Sequence, residues 1–132
     1  MELKISNPHY DMLGGADAVK RLVERFYEIM DTDSEALGIR RLHPENLDSS
    51  REKLFMFLSG WLGGPQLYVE KHGHPKLRQR HLPFPIGASE RDQWMRCMER
   101  ALIETGVEEK LRAQLTASFF KTADFLRNKE EA

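Results

Sequence analysis

The stretch RQRHLPFPIG holds the side chain with the most chemistry to offer, His81, at the end of a short helical pattern and followed closely by two prolines. An imidazole fixed at a helix end beside Leu82, Phe84 and Ile86 can act as an acid or base, as a metal ligand, or as a hydrogen-bonded structural residue. No HExxH, CxxC, GxGxxG or GxSxG accompanies it, so zinc hydrolysis, dinucleotide binding and serine hydrolysis have no footing. What remains is a single strong nitrogen ligand among apolar neighbours, the way a haem protein holds iron through one axial imidazole. Cys97, the lone cysteine, allows neither an internal disulfide nor a Cys-rich metal site. It falls in an apolar helical stripe and reads as a small buried hydrophobe rather than a reactive thiol.

The backbone that must present His81 is unusual. Pro75 suits the first turn of a short helix on which Leu77 and His81 share a face; His81 ends it, and Pro83 and Pro85 push Leu82 and Phe84 towards extended conformations. This segment lies within a connection from Gly64 to Ala88 that is long for a compact domain, and such connections usually serve function. Around it, four long segments carry helical periodicity and none alternates with period two, so the fold is expected to be all-α. Val19, Leu22, Val23, Phe26, Tyr27 and Met30 form the first stripe, and Leu47, Ser50, Leu54, Phe57, Leu58, Trp61 and Leu62 the second. The third opens on Ser89 and Asp92 in capping-box spacing and carries Trp94, Cys97, Met98, Ala101 and Leu102. Leu111, Leu115, Ser118, Phe119, Thr122 and Leu126 make the fourth, giving two helix pairs.

A chain of 132 residues suits one domain, taken as residues 1–132, with the charged tail RNKEEA (127–132) expected to fray. Acidic and basic totals of 21 and 20 nearly cancel, so no global field favours nucleic acid or an anionic membrane. No stretch reaches the roughly 20 apolar residues of a membrane span, and MELKISNPHY lacks a signal-peptide core. A cytoplasmic protein is expected.

From Tyr10 to about Leu126 the sequence resembles the group II (O-type) truncated haemoglobins. The resemblance is carried by YDMLGGADAV, VERFYEIM, LHPENL, FMFL with the following GGP, Tyr68, GHPKLRQRHLPFPI and ERDQWMRCM. It implies a globin-like two-over-two helical sandwich enclosing haem b. His81 then stands at the proximal iron ligand, its other ring nitrogen donating to a backbone carbonyl. Tyr27, Trp94 and His43 stand at the distal positions, where a phenol O–H, an indole N–H and an imidazole N–H would hold the partly negative oxygen of a ligand in a low-dielectric pocket. Without the resemblance, Tyr27 and Trp94 read as core residues with polar tips, and His43, before Pro44, as the start of a turn. Ser50, where ordinary globins commonly carry a distal histidine, leaves a route in, and Leu54 and Phe57 wall the haem. Lys53, Tyr68, His74, Arg78 and Arg80 are implied for the propionates, although KHGHPKLRQR also reads as a solvated basic face.

The resemblance further implies dioxygen and other diatomic ligands, slow release, and redox chemistry of the nitric oxide dioxygenase or peroxidase kind, dependent on an external reductase. Non-enzymatic oxygen storage, scavenging or carriage is the alternative, in a monomer or a homodimer. Many relatives carry Tyr or Phe where His43 stands, which raises Tyr27 or His43 as a sixth ligand to ferric iron.

Overall fold

The stripe that begins at Val19 forms α2, Ala16–Thr32, in a computed structural model that describes residues 8–129. One face of α2 is buried along its whole length, from Ala18 to Met30, because apolar residues recur at helical spacing. Before it lies α1, His9–Leu13, and the two meet at Gly14 and Gly15, whose φ values of 124° and 79° suit residues without a β-carbon. A 3-10 turn, Ser34–Ala36, and α3, Leu37–Arg40, follow. Next come α4, Asp48–Trp61, α5, Leu67–His72, and α6, Leu77–His81. The chain continues with α7, Ala88–Glu104, and α8, Glu109–Phe125. No strand occurs among the described residues.

The four long helices are α2, α4, α7 and α8. α2 packs on α4 and α7, and α7 on α8, so the pairs α2/α4 and α7/α8 make the two layers of the expected sandwich. The shared core joins Leu22, Phe26 and Met30 of α2 to Leu58 of α4, Met98 and Leu102 of α7, and Leu115 of α8. Cys97 is fully buried there, and burial pushes its thiol up to about 11, keeping it protonated and apolar in behaviour.

Local chemistry sets the helix ends. The capping residue at the start of α7 is Glu90, whose Oε1 accepts the Gly87 N–H at 2.7 Å; the N-cap is therefore Gly87, two residues before the Ser89 that the Ser89/Asp92 pattern offers. Glu108 caps α8 by accepting the Leu111 N–H at 2.7 Å. Asp33, past the end of α2, accepts the Glu35 N–H at 2.9 Å, Arg96 Nε at 2.8 Å and Arg100 Nη1 at 3.2 Å, tying the α2 corner to α7. The Arg96 hydrogen bond, foremost, holds the Asp33 carboxyl below its ordinary value.

The long connection contains more helix than its sequence pattern suggests. α5 escapes a periodicity reading because six residues present less than two turns, and α6 begins at Leu77 rather than at Pro75, after Lys76 in the left-handed region at φ 47°. At the start of the tail, Asn128 and Lys129 bond to Ile86, while residues 130–132 lie outside those described.

At the joint between α1 and α4, the Tyr10 N–H donates to the Leu62 carbonyl at 2.8 Å and the Tyr10 ring covers Gly64 so closely that a β-carbon there would overlap it. Gly64→Ala is expected to destabilise the fold by about 1–3 kcal/mol through overpacking, and Tyr10→Leu in the same chain to recover part of the loss, both measured by thermal or denaturant unfolding.

Candidate functional site

α6 is one helical turn, and its last residue, His81, points its Nδ1 at the carbonyl of Leu77, 2.6 Å away. A carbonyl oxygen only accepts, so Nδ1 carries the hydrogen and the neutral ring is left with its lone pair on Nε2. Two cavities meet at this ring. The larger, of about 410 Å³, lies between Tyr27 of α2, Ser50, Lys53, Leu54 and Phe57 of α4, Tyr68 of α5, and Pro75, Leu77, Arg80 and His81 on the other side. The smaller, of about 110 Å³, runs inward past Ile39, Trp61, Ile86, Trp94 and Phe119. Leu54, Phe57 and His81 line both, which makes one slot with an apolar interior and a basic mouth. A mostly apolar concavity with a few placed polar groups is the usual form of a cofactor site.

An aromatic framework holds the far wall. The Phe26 ring meets Tyr27 edge-on at 4.9 Å between centroids and Trp94 at 5.1 Å; Trp94 lies 5.6 Å from Phe119, which stacks on Trp61 at 4.6 Å. These contacts fix rings whose polar tips would otherwise have rotamer freedom. Tyr27 is 4% exposed, and its burial raises the pKa well above the ordinary tyrosine value, so the group is a neutral phenol with a proton to donate.

His43 does not line either cavity. It packs edge-on against Tyr27 with 5.8 Å between centroids, in the turn after α3. Its Nδ1 lies 2.9 Å from the Ile39 carbonyl, repeating the arrangement of His81, so the neutral ring offers an acceptor at Nε2 and not the N–H donor expected from sequence. Burial foremost, with the charges of Arg40 and His81, lowers its pKa against the opposing hydrogen bond to Ile39, which favours the neutral ring.

The candidates for anionic groups divide. Lys53 and Arg80 line the slot, Arg80 lying 5.8 Å over the ring of the buried Tyr68. Arg78 and His74 lie elsewhere. Arg78 Nη1 donates to the Phe125 carbonyl, the last of α8, at 2.5 Å and to that of Arg127, just beyond it, at 3.3 Å. His74 is exposed, and its Nδ1 accepts the Lys76 N–H at 3.0 Å, supporting the left-handed residue there. Sequence reasoning missed Ile39, Trp61 and Phe119 as wall residues, although all but Ile39 stood in apolar stripes that could have carried the signal. It also missed Asn128, which nothing in a charged tail singles out.

Among the described residues, no three His, Cys, Asp or Glu side chains converge as a metal site. A metal held at His81 must therefore bring most of its own ligands, as iron in a porphyrin does; the apolar slot, the single imidazole lone pair and the cations at the mouth fit that group.

The sequence profile of the bacterial-like globins matches residues 8–128, and the chain belongs to that family. Membership implies haem and the binding of diatomic gases. The branch is the group II truncated haemoglobins. The chain is 39% identical over 126 residues to the group 2 truncated hemoglobin YjbI of Bacillus subtilis, covering 96% of this chain and 92% of that protein. Its structure is similar to that of the group II 2-on-2 hemoglobin of Agrobacterium tumefaciens, with a TM-score of 0.89, 44% identity and 98% of each chain covered. It is likewise similar to a truncated oxygen-avid haemoglobin from Bacillus subtilis, with a TM-score of 0.83, 37% identity, and 90% of this chain and 98% of that chain covered.

The lowered pKa of His43 makes a prediction about pH. An unfolded imidazole takes up a proton near pH 6.5, whereas the folded ring resists until a lower pH, so stability falls as pH drops below that unfolded value. His43→Phe is expected to remove its share of that loss, seen as a shallower decline of the urea midpoint between about pH 7.5 and 5.5.

Proposed function

We propose that the protein binds haem b through His81 Nε2, retains dioxygen tightly, and uses it in redox chemistry with nitric oxide in the cytoplasm. The observation that carries this reading is the pairing of His81 Nδ1 with the Leu77 carbonyl at 2.6 Å, at a ring that lines one cavity together with Tyr27 and the other together with Trp94. The hydrogen bond fixes the tautomer and strengthens the imidazole as a donor to a metal. Lys53 and Arg80 would pair with the propionates at the mouth, while Leu54 and Phe57 would cover the macrocycle and exclude water.

Held by His81, with Lys53 and Arg80 at the propionates, haem would supply the redox chemistry that converts nitric oxide and dioxygen to nitrate, the electron that restores it coming from an external reductase. The chain's own contribution is electrostatic. Tyr27, kept neutral by burial, and Trp94, held by Phe26 and Phe119, present donors in a low-dielectric pocket to whatever negative charge gathers on the ligand. His43 presents an acceptor edge-on to the Tyr27 ring, so its part is to orient the phenol rather than to donate beside it. The similarity to a haemoglobin described as oxygen-avid supports slow release.

Each neutral hydrogen bond contributes about 1 kcal/mol net, so Trp94→Phe is expected to raise the oxygen dissociation rate about fivefold or more in stopped-flow measurements. His81→Ala is expected to abolish tight haem retention, read as loss of the Soret band on gel filtration. Fast oxygen release in the native protein, with sluggish reaction towards nitric oxide, would instead favour storage or carriage.

A further inference from the structure

His81 sits on an element with little packing of its own. No residue of α6 is buried, and the segment that follows has two prolines, which lack the N–H groups needed to build internal hydrogen bonds. What holds the segment comes from the far end of the chain. Asn128, three residues past the end of α8, sends Nδ2 to the His81 carbonyl at 3.0 Å and accepts the Ile86 N–H on Oδ1 at 3.0 Å. The backbone N–H groups of Asn128 and Lys129 both donate to the Ile86 carbonyl, at 2.9 and 3.1 Å. The His81 carbonyl also accepts the Phe84 N–H at 3.0 Å, so both of its lone pairs are used.

One carboxamide thus bridges the two ends of the Pro-Phe-Pro segment, His81 on one side and Ile86 on the other. An amide is the group that can do this, since it presents a donor and an acceptor together. On the α6 side, Arg78 binds the carbonyls of Phe125 and Arg127 and lies 5.5 Å over the Phe125 ring, which brings the same chain end against the same short helix a second time. On the α7 side, Lys129 pairs with Glu90 at 3.3 Å.

We propose that Asn128 is a positioning residue for the proximal histidine: by holding the His81 carbonyl and the Ile86 amide together, it fixes the backbone from which the imidazole reaches the haem iron. The inference rests on the reading of His81 as the iron ligand. Asn128 lines neither cavity, and it acts through two backbone groups, the His81 carbonyl and the Ile86 N–H.

Asn128→Asp tests this with little change of shape. The carboxylate keeps the acceptor for Ile86 and sets an oxygen against the His81 carbonyl where a donor stood. In the ferrous, ligand-free holoprotein, the iron–imidazole stretching band in resonance Raman is expected to shift and broaden, and haem transfer to excess apomyoglobin to speed up about fivefold, the loss of one hydrogen bond. Asn128→Ala, which removes both arms, should do at least as much; should it fail to fold, the Asp variant decides. The specific control is His81→Gly loaded with free imidazole, whose ligand has no backbone. There, Asn128→Asp is expected to leave the iron–imidazole band unchanged. An unaltered band and transfer rate in Asn128→Asp, or an equal shift in the imidazole-loaded background, would overturn the role of Asn128 while leaving His81 as ligand. A wild-type protein that takes up no haem, or a His81→Gly protein that keeps the native band without imidazole, would overturn both.

Discussion

A neutral imidazole carries its hydrogen on one nitrogen, and in this protein a peptide carbonyl decides which. Leu77 stands four residues before His81, where one helical turn brings its oxygen to Nδ1 at 2.6 Å. Because that oxygen only accepts, the lone pair is forced to Nε2, and the ring plane is tied to the axis of α6. The rest of the site is arranged around this constraint. Without it the ring could present either an N–H or a lone pair to the slot, and the apolar walls of Leu54 and Phe57 would enclose nothing in particular.

Tyr27 and Trp94, which also line the slot, are ordered by rings rather than by peptide groups. Phe26 touches both Tyr27 and Trp94, and Phe119 bridges Trp94 to the stacked Trp61, so the two donors are braced by a chain of aromatic contacts that crosses from α2 through α7 to α8 and α4. His43 joins this wall edge-on to Tyr27, its own Nδ1 held by Ile39 just as His81 is held by Leu77. The repeated arrangement gives the two histidines the same tautomer in different places, one lining the slot and the other packed edge-on against the Tyr27 ring.

How much of this the sequence discloses depends on length and on competition. α2 is legible because seventeen residues give a single unbroken stripe, and the same holds for the long α4, α7 and α8. α5 is not, since LYVEKH has no room for a period to repeat. His81 stands out through its prolines, and Tyr27 and Trp94 through the family pattern, but their bracing partners look like any other core residues. Arg78 and Arg80 are chemically alike and two positions apart; only the folded chain separates the one that caps α8 from the one that faces the slot. His43 is visible as a residue type, whereas its acceptor character depends on where the Ile39 carbonyl falls. Glu90 outcompeted Asp92 for the α7 cap because the free N–H belongs to Gly87, a choice that spacing alone does not fix.

The absence of any buried residue on α6 has a thermodynamic side. The layers of α2, α4, α7 and α8 are stabilised by apolar burial and cohere as one cooperative unit, but the turn carrying His81 is attached mainly through polar links close to solvent. Such regions occupy the low end of a protein's ladder of opening free energies. Opening of this turn is then expected to be a sub-global event, in which the four-helix sandwich stays assembled while α6 alone comes loose.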